Sequence, residues 1–251
     1  MLKKRIIPVL FIKNSIVVQS ISFKIYRPIG CPKIAVDFLI RWGADEIIII
    51  DLDAAYGSYS VNTEIIKNIA SMINIPLSYG GGLNNIEDVL NVFQAGVDKV
   101  IFNQGLHKNE DMVKEIVHRY GSQAVIGSFD IKYDESEWKL FDYKTRCFLP
   151  EVNVNNVVKK LGIGEVFVNS VDRDGSLLGY DISACRSLNK VLQVPLIFCG
   201  GCSDAENMAT LFSACPDLSA AAAGNFFHFT ELSVHKTKAY LSETVPIRLS
   251  Y

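Results

Sequence analysis

Residues 75–82 read IPLSYGGG, and the chain repeats this stretch in similar form at residues 194–201, which read VPLIFCGG. The two copies lie 119 residues apart, counted from Pro76 to Pro195. In each copy a proline precedes a short apolar run that ends in glycines, a pattern typical of a buried strand followed by a tight turn. Similarity at one fixed spacing predicts a fold built from repeated units.

Three further pairs of segments resemble each other at nearly the same spacing. The matched pairs are 43–51 with 162–170, 11–13 with 130–132, and 98–104 with 219–225. Chance similarity between apolar runs would not recur at four places in the same order. We therefore predict two fused half-barrels, about 1–120 and 121–251, within a single domain that spans residues 1–251.

Eight short runs rich in β-branched residues alternate with helix-like stretches along the chain. The predicted strands are 5–11, 46–51, 77–80, 99–103, 124–130, 165–170, 196–199 and 219–223. This rhythm predicts an α/β fold, a (β/α)8 or TIM barrel. Two excursions, 14–30 and 132–148, follow the carboxyl ends of strands, where such barrels build their active sites.

The composition fits one large core and argues against several classes of partner. The chain has 251 residues, 49% of them hydrophobic, and a mean hydropathy of +0.20. A formal net charge of −2 gives no basic footprint for a nucleic acid or an anionic membrane. The basic residues 3–5 and the apolar residues 6–12 imitate a signal peptide, but the run is short and ends at Lys13. We expect a cytoplasmic protein whose first strand occupies this run.

Two patterns resemble metal or redox sites. Cys199 and Cys202 have a suggestive spacing, but no second pair and no nearby histidine completes a tetrahedral zinc site. We interpret them as thiols that flank a glycine turn. Two Asp-x-Asp pairs also stand at equivalent strand ends, Asp51 with Asp53 and Asp172 with Asp174. Their spacing suits Mg²⁺, and the alternative is turn capping and contact with ligand hydroxyls.

Glycines gather after the strands on the face where the excursions lie. Glycine lets backbone N–H groups approach an anion closely, so these positions suggest phosphate binding. We predict one cradle in each half: Gly82, Asn103 and Gln104 in the first, and Gly175, Gly200, Gly201, Gly224 and Asn225 in the second. The alternative is that the glycines only form tight turns. Their duplication favours two phosphates, and therefore an elongated substrate phosphorylated at both ends.

Charged residues mark the starts of four predicted strands. Arg5, Glu46, Lys99 and Glu165 supply two cations and two anions that could form a ring at the bottom of the barrel. On the charge pattern alone, we favour an ion-pair network that stabilises the barrel floor.

Several stretches together resemble one family, the cyclase subunit of imidazole glycerol phosphate synthase, HisF. They are KRII at 4–7, YGGG at 79–82, DKV at 98–100 with Asn103, GSQAV at 121–125, SVDRDG at 170–175 with GYD at 179–181, and FHF at 227–229. The resemblance covers essentially the whole chain, including the half-barrel duplication.

The resemblance implies a lyase of histidine biosynthesis that acts on a bisphosphorylated ribulosyl intermediate. Two aspartates that end the first and fifth strands would act as general acid and base. Asp130 matches one of them, whereas Phe11 stands at the position of the other. Asn14-Ser15 also replaces the family's Asp-Gly, and Gln19 replaces a lysine. Phe11 cannot transfer a proton, so half of the acid–base pair is missing.

The resemblance also implies an ammonia channel. A glutaminase subunit, HisH-like, would dock at the bottom face, with Asp98 at the interface and the charged ring as an ammonia gate. Given this resemblance, we interpret the charged ring as an ammonia gate rather than as an ion-pair network that only stabilises the barrel floor. Asp51 and Asp174 are carried over as substrate-pocket residues. No metal or other cofactor is expected, nor is any nucleic acid or membrane partner.

Three hypotheses follow. The replacement at position 11 resembles diverged second copies of the cyclase that accompany surface-polysaccharide genes. In the first hypothesis the barrel conveys or activates ammonia for a sugar amidotransferase that converts an acetamido group into an acetamidino group. The second is an authentic cyclase of histidine biosynthesis. The third is a non-catalytic scaffold that stimulates its glutaminase. Phe11 favours the first and the third.

Overall fold

A computed structural model of the chain describes residues 3–57, 60–150 and 152–249. Its β-strands are β1 Arg5–Lys13, β2 Ile16–Ile21, β3 Ile25–Gly30, β4 Ile47–Asp51, β5 Leu77–Gly80, β6 Lys99–Phe102, β7 Val125–Asp134, β8 Glu137–Asp142, β9 Cys147–Phe148, β10 Glu165–Ser170, β11 Leu196–Cys199 and β12 Ala220–Ala223. Eight of them pair in parallel in the order β1, β4, β5, β6, β7, β10, β11, β12, and β12 pairs with β1 again. The predicted (β/α)8 barrel is confirmed.

Both excursions are antiparallel extensions of barrel strands. β2 pairs with the end of β1, and β3 pairs with β2. β8 likewise pairs with the end of β7, and β9 pairs with β8. β1 and β7 are therefore longer than predicted, since each continues past the barrel into a hairpin, while the other barrel strands agree with prediction to within one residue at either end.

Helices connect the barrel strands on the outside. They are α1 Pro32–Arg41, α2 Leu52–Tyr56, α3 Thr63–Ala70, α4 Ile86–Gln94, α5 Gly105–Lys108, α6 Glu110–Tyr120, α7 Val154–Leu161, α8 Ile182–Val191, α9 Ala205–Ala214 and α10 Ser233–Leu241, with short 3-10 helices at Ser122–Ala124 and Phe226–His228. Six of them are capped by a side chain that accepts from the backbone N–H three residues on, namely those of Asp51, Asn62, Asn85, Asn153, Asp181 and Asp204. None of the helices in the described ranges is long and apolar enough to cross a membrane.

Alternating residues of the strands divide the apolar side chains between two cores. The larger core lies between the sheet and the helices and includes Leu10, Val100 and Phe198. The smaller core fills the barrel interior and includes Ile7, Ile48, Ile126, Phe167 and Ile197. This period of two is what a strand buried on both faces requires. Polar groups are consequently confined to the two ends of the interior, where the candidate sites lie.

Candidate functional site

The amino end of the barrel interior contains a cyclic network of four charged side chains. Arg5 bridges the two glutamates: Nη1 lies 2.9 Å from Glu46 Oε2, and Nη2 donates to Glu165 Oε1. Lys99 Nζ bridges them from the other side, 3.0 Å from Glu46 Oε1 and 2.8 Å from Glu165 Oε2. The structure thus brings together the four residues selected from the sequence, and we call them the polar ring.

The polar ring is largely withdrawn from solvent but electrically balanced. The side chains of Glu46 and Glu165 are 2% and 8% exposed, and those of Arg5 and Lys99 are 12% and 18% exposed. Burial on its own raises the pKa of Glu165, but Arg5 and Lys99 outweigh it and hold that pKa below its usual range. Both glutamates therefore have cationic partners, and Glu165 remains charged at neutral pH.

Asp98 lies beside the polar ring on the outside of the same end. Its carboxylate Oδ2 accepts from the backbone N–H of Leu77 at 2.8 Å, while the residue itself is exposed. This hydrogen bond fixes the carboxylate at the start of β6. Its predicted contact with a glutaminase stays a prediction.

Asp130 lies at the opposite, carboxyl end of the interior and lines an open pocket of about 1270 Å³. Two amides donate to its carboxylate: Asn103 Nδ2 to Oδ2 at 2.9 Å, and Asn169 Nδ2 to Oδ1 at 3.2 Å. Burial raises the pKa of Asp130 to about 6, against the lowering effect of the two amides. A carboxyl group with such a pKa can accept or donate a proton near neutral pH.

Phe11 lines the same pocket, but its surroundings are apolar. The residue is only 2% exposed, and its ring meets the ring of Phe23 edge to face at a centroid distance of 5.2 Å. It also lies tightly against Gly224, because a Cβ added there would come within 2.5 Å of Phe11 Cε2. Position 11 is thus a packed part of the pocket wall, with no proton to transfer.

The first predicted cradle opens into this pocket. Gly82, Asn103 and Gln104 all line it together with Asp130. Gly82 has φ +69°, and a Cβ there would lie 2.7 Å from that of Ala54, so both backbone and space require glycine. The loop is therefore compatible with close approach of a ligand to the backbone.

Three cations that the sequence reading did not select also line the pocket, namely Lys108, Lys144 and Arg146. Lys144 and Arg146 follow β8 in the second excursion, where the carboxylate of Asp142 holds the turn by accepting from the backbone N–H of Lys144 at 2.8 Å. The signal in the sequence that could have identified Lys144 and Arg146 was the charged and aromatic composition of residues 132–148. The side chain of Gln104 donates to the same Asp142, also at 2.8 Å, which joins this turn to the first cradle.

The second predicted cradle is separated from the pocket of Asp130. Gly175, Gly200, Gly201, Gly224 and Asn225 are not among its lining residues. The end of β2 lies against two of these residues instead: Asn225 Nδ2 donates to Ser20 O at 2.7 Å, and a Cβ on Gly175 would collide with the same carbonyl oxygen. Phosphate binding by these residues stays a prediction.

The aspartate pairs act as hydrogen-bond acceptors within the chain. Asp51 accepts from Ala54 N at 2.9 Å and from Tyr79 Oη at 3.2 Å, and Asp53 accepts from Lys13 Nζ at 3.3 Å. Asp172 accepts from Tyr133 N at 2.8 Å, and Asp174 from Ser20 Oγ at 2.6 Å. The contact of Asp51 with Ala54 N is a helix cap, as the capping alternative predicts, whereas the other three aspartates join segments distant in the sequence. Neither Asp51 nor Asp174 lines the pocket of Asp130, so their substrate contacts stay predictions.

The described ranges contain no group of three or more His, Cys, Asp and Glu side chains arranged to hold a metal ion. Cys199 and Cys202 are free and buried, and burial raises the pKa of the Cys202 thiol to about 12. Both thiols are therefore protonated at neutral pH, which suits packing around the glycine turn.

A model of the family described as "Histidine biosynthesis protein" matches residues 5–233. The chain belongs to this family. Relatives of this HisF-like barrel include a protein of Vibrio vulnificus named "Putative imidazole glycerol phosphate synthase subunit hisF2", 36% identical, with 100% of this chain and 93% of the relative covered. The HisF subunit of Clostridium botulinum is 33% identical with 97% of both chains covered, and that of Nitrosopumilus maritimus is 32% identical with 99% and 100% covered.

The matches confirm the resemblance to HisF that the sequence motifs indicated. These relatives are named as subunits of one synthase, in line with the expectation that the HisF-like barrel is an enzyme subunit. The Vibrio vulnificus relative carries the designation hisF2, which agrees with a diverged second copy.

Proposed function

We propose that the HisF-like barrel receives ammonia from a HisH-like glutaminase subunit and conveys or activates it, at the end of the barrel where Asp130 lies, for a third protein. The observation that carries the proposal is the division of polar groups between the two ends of the barrel. The amino end holds a paired ring of charges, and the carboxyl end holds the carboxyl group of Asp130 beside an apolar Phe11.

The polar ring supports a path through the barrel axis. All four side chains come from the starts of barrel strands or the residue before, and between them and the pocket the interior is lined by apolar residues such as Ile7 and Ile48. Ammonia is neutral and small, so an apolar interior favours it over the ammonium ion. The alternating charges would admit ammonia only where a ring contact opens.

Phe11 supports a change of chemistry at the far end. Ring closure on a bisphosphorylated ribulosyl intermediate, as the resemblance implies it, needs two carboxyl groups that exchange protons. Asp130 alone can still activate ammonia or take up the proton released when ammonia attacks an electrophilic carbon. For the acceptor we propose a surface-polysaccharide sugar, whose acetamido group a sugar amidotransferase converts into an acetamidino group.

The ammonia path is tested by measuring whether glutamine hydrolysis stays coupled to the formation of aminated product. The barrel is combined with the glutaminase and the sugar amidotransferase of the same organism and an acetamido sugar, and glutamate and aminated product are measured together. Lys99→Ala should open the polar ring and release ammonia to solvent, so that glutamate forms in excess over product. Lys114→Ala, which removes an exposed lysine with only longer contacts of 3.6 and 4.0 Å, is the control. Unchanged stoichiometry in Lys99→Ala would count against the gate.

The second candidate function is the authentic cyclase of histidine biosynthesis, favoured by the hydrogen-bonded setting and pKa of Asp130. Purified barrel is given ammonium salt at mildly alkaline pH and the ribulosyl intermediate of that pathway. We expect no turnover by the unaltered chain and a gain with Phe11→Asp, with Phe11→Asn as the control that lacks a titratable group. Turnover by the unaltered chain would establish the second candidate in place of the first.

A further inference from the structure

Asn169 lies directly beside Asp130 at the carboxyl end of the barrel interior. β10 pairs in parallel with β7 in the register that places Asn169 opposite Asp130, and Asn169 Nδ2 donates to Asp130 Oδ1 at 3.2 Å. Phe167, two residues earlier on β10, belongs to the interior core, so the period of two directs the side chain of Asn169 toward the barrel axis as well. Asn169 is 3% exposed and lines the pocket of Asp130.

The other end of the Asn169 amide is a buried acceptor. Its oxygen Oδ1 is withdrawn from solvent, and none of the described residues donates a hydrogen bond to it. The orientation of the amide follows from its neighbour, because an ionised Asp130 can only accept and therefore faces the NH2 end. A buried acceptor without a donor lowers the stability of the fold, and a small ligand is one reason for a protein to keep it.

The distances fit a ligand that bridges two oxygens through one atom. The oxygen and nitrogen of an amide lie about 2.3 Å apart, which places Asn169 Oδ1 within about 5.5 Å of Asp130 Oδ1. Two hydrogen bonds of about 2.9 Å from one nitrogen can span this separation. Asn169 Oδ1 has less than 1 Å² of exposed surface, so only a molecule of about the size of water reaches it with a local shift of side chains.

The chemistry of the site favours ammonia as that molecule. A carboxylate oxygen and an amide oxygen both accept, so the ligand has to donate at least two hydrogens. The nearby walls are the apolar rings of Phe11 and Phe167, and an apolar setting favours a neutral molecule over the ammonium ion. Ammonia that donates two N–H groups here keeps its third N–H and its lone pair for the open pocket.

We propose that Asn169 and Asp130 form a binding site for ammonia, in which Asn169 Oδ1 and the Asp130 carboxylate each accept one N–H group. This deepens the proposed function and rests on it for the source of the ammonia. Asn169 supplies a second acceptor at the end of the interior where Phe11 supplies none. The two hydrogen bonds orient the lone pair of ammonia away from the barrel axis and toward the pocket.

The test is an NMR titration of the labelled barrel alone, without any partner protein. The carboxyl carbon of Asp130 and the side-chain amide of Asn169 are followed while ammonium chloride is added at mildly alkaline pH, where part of the salt is ammonia. Sodium chloride and trimethylammonium chloride are the controls, since trimethylammonium has a single N–H group and cannot bridge. We expect both signals to shift saturably with ammonium chloride, with a Kd of about 100 mM or lower, as two hydrogen bonds to a small ligand allow.

Two outcomes of this titration would overturn the proposal. One is a shift that does not saturate, which would leave water as the partner of Asn169 Oδ1. The other is an equal shift with the control salts, which would reduce the effect to ionic strength.

A matched pair of variants isolates the acceptor oxygen. Asn169→Leu and Asn103→Leu each remove one amide that donates to Asp130, so both change the carboxyl group in the same direction. Only Asn169→Leu also removes the buried acceptor. It should raise the Kd for ammonia about tenfold, the effect of one lost hydrogen bond, whereas Asn103→Leu should change it by less than about threefold. An equal loss in both variants would refute the role of the oxygen. Backbone amide spectra check that each variant folds, and the titration of the unaltered chain decides the proposal if Asn169→Leu does not.

These titrations need no glutaminase and no aminated product. Saturable binding of ammonia together with failed coupling would count against the proposed function alone. Normal coupling without saturable binding would count against the ammonia site alone.

Discussion

Glu46 is the side chain on which the polar ring most depends, and its replacement by glutamine gives a prediction with a calculable size. Its carboxylate accepts from Arg5 at 2.9 Å, from Lys99 at 3.0 and 3.1 Å, and from Ser78 Oγ at 2.8 Å. Glu46→Gln conserves the volume but changes the net charge of the ring from zero to +1. Arg5 and Lys99 then share Glu165 as the remaining anion of the ring.

Breaking a buried ion pair by removing one partner costs about 3–5 kcal/mol. We expect the lower end, about 3 kcal/mol, because Arg5 and Lys99 are 12% and 18% exposed and each retains Glu165. In a protein of this size 1 kcal/mol lowers the melting temperature by about 2–4 °C, so the expected decrease is about 6–12 °C.

The assay is thermal unfolding followed by circular dichroism at neutral pH, with Glu110→Gln as the matched control. Glu110 pairs with Lys160 at 2.6 Å and with Lys114 at 4.0 Å on the surface, and such exposed pairs contribute little to stability. A decrease for Glu46→Gln no larger than for Glu110→Gln would refute the reasoning. In the double variant Glu46→Gln/Lys99→Met the ring is neutral again, so its loss should be smaller than the sum of the single losses.

Three further predictions concern the pocket and the thiols. The carboxyl carbon of Asp130 should titrate by NMR with a midpoint of about 6. Asn103→Leu should raise that midpoint, because the amide of Asn103 stabilises the charged form of the carboxyl group. An unchanged midpoint in the variant would contradict this. Gly224→Ala should destabilise the fold by about 1–3 kcal/mol through overpacking against Phe11, measured by urea unfolding, and Phe11→Leu should relieve most of that loss. A maleimide reagent should label Cys31 and Cys147, which are exposed, and spare the four buried cysteines in the native protein; mass spectrometry of labelled peptides decides this.

The barrel strands were predictable because their signals are local. The apolar run at 77–80 and its proline and glycine borders identify β5 without any knowledge of its neighbours, and its structural bounds agree. The polar ring could be predicted from the sequence for a related reason. A parallel barrel places the starts of all its strands at one end, so Arg5 and Glu165 had to lie near each other once the strands were known.

The separation of the two cradles could not be read from the sequence. It depends on contacts between Ser20 and Asp174, 154 residues apart, and between Ser20 and Asn225, 205 residues apart. No periodicity or spacing reports such a contact. The positions of Lys144 and Arg146 in the pocket could not be predicted for the same reason. Only the folded β7–β8 hairpin and its turn bring these residues to the first cradle.

The two hairpins also remove the twofold symmetry that equal half-barrels would give the carboxyl face. The β2–β3 turn reaches residues of the second predicted half through Asp174 and Asn225, whereas the second excursion reaches the first half through Tyr143, whose hydroxyl donates to Ala55 O at 3.0 Å. The first contact covers part of the second predicted cradle at Asn225, whereas Gly82, Asn103 and Gln104 of the first line the open pocket. A molecule that enters this face would therefore meet different chemistry in the two halves. Regioselectivity can thus arise from chain connectivity alone, without a residue dedicated to it.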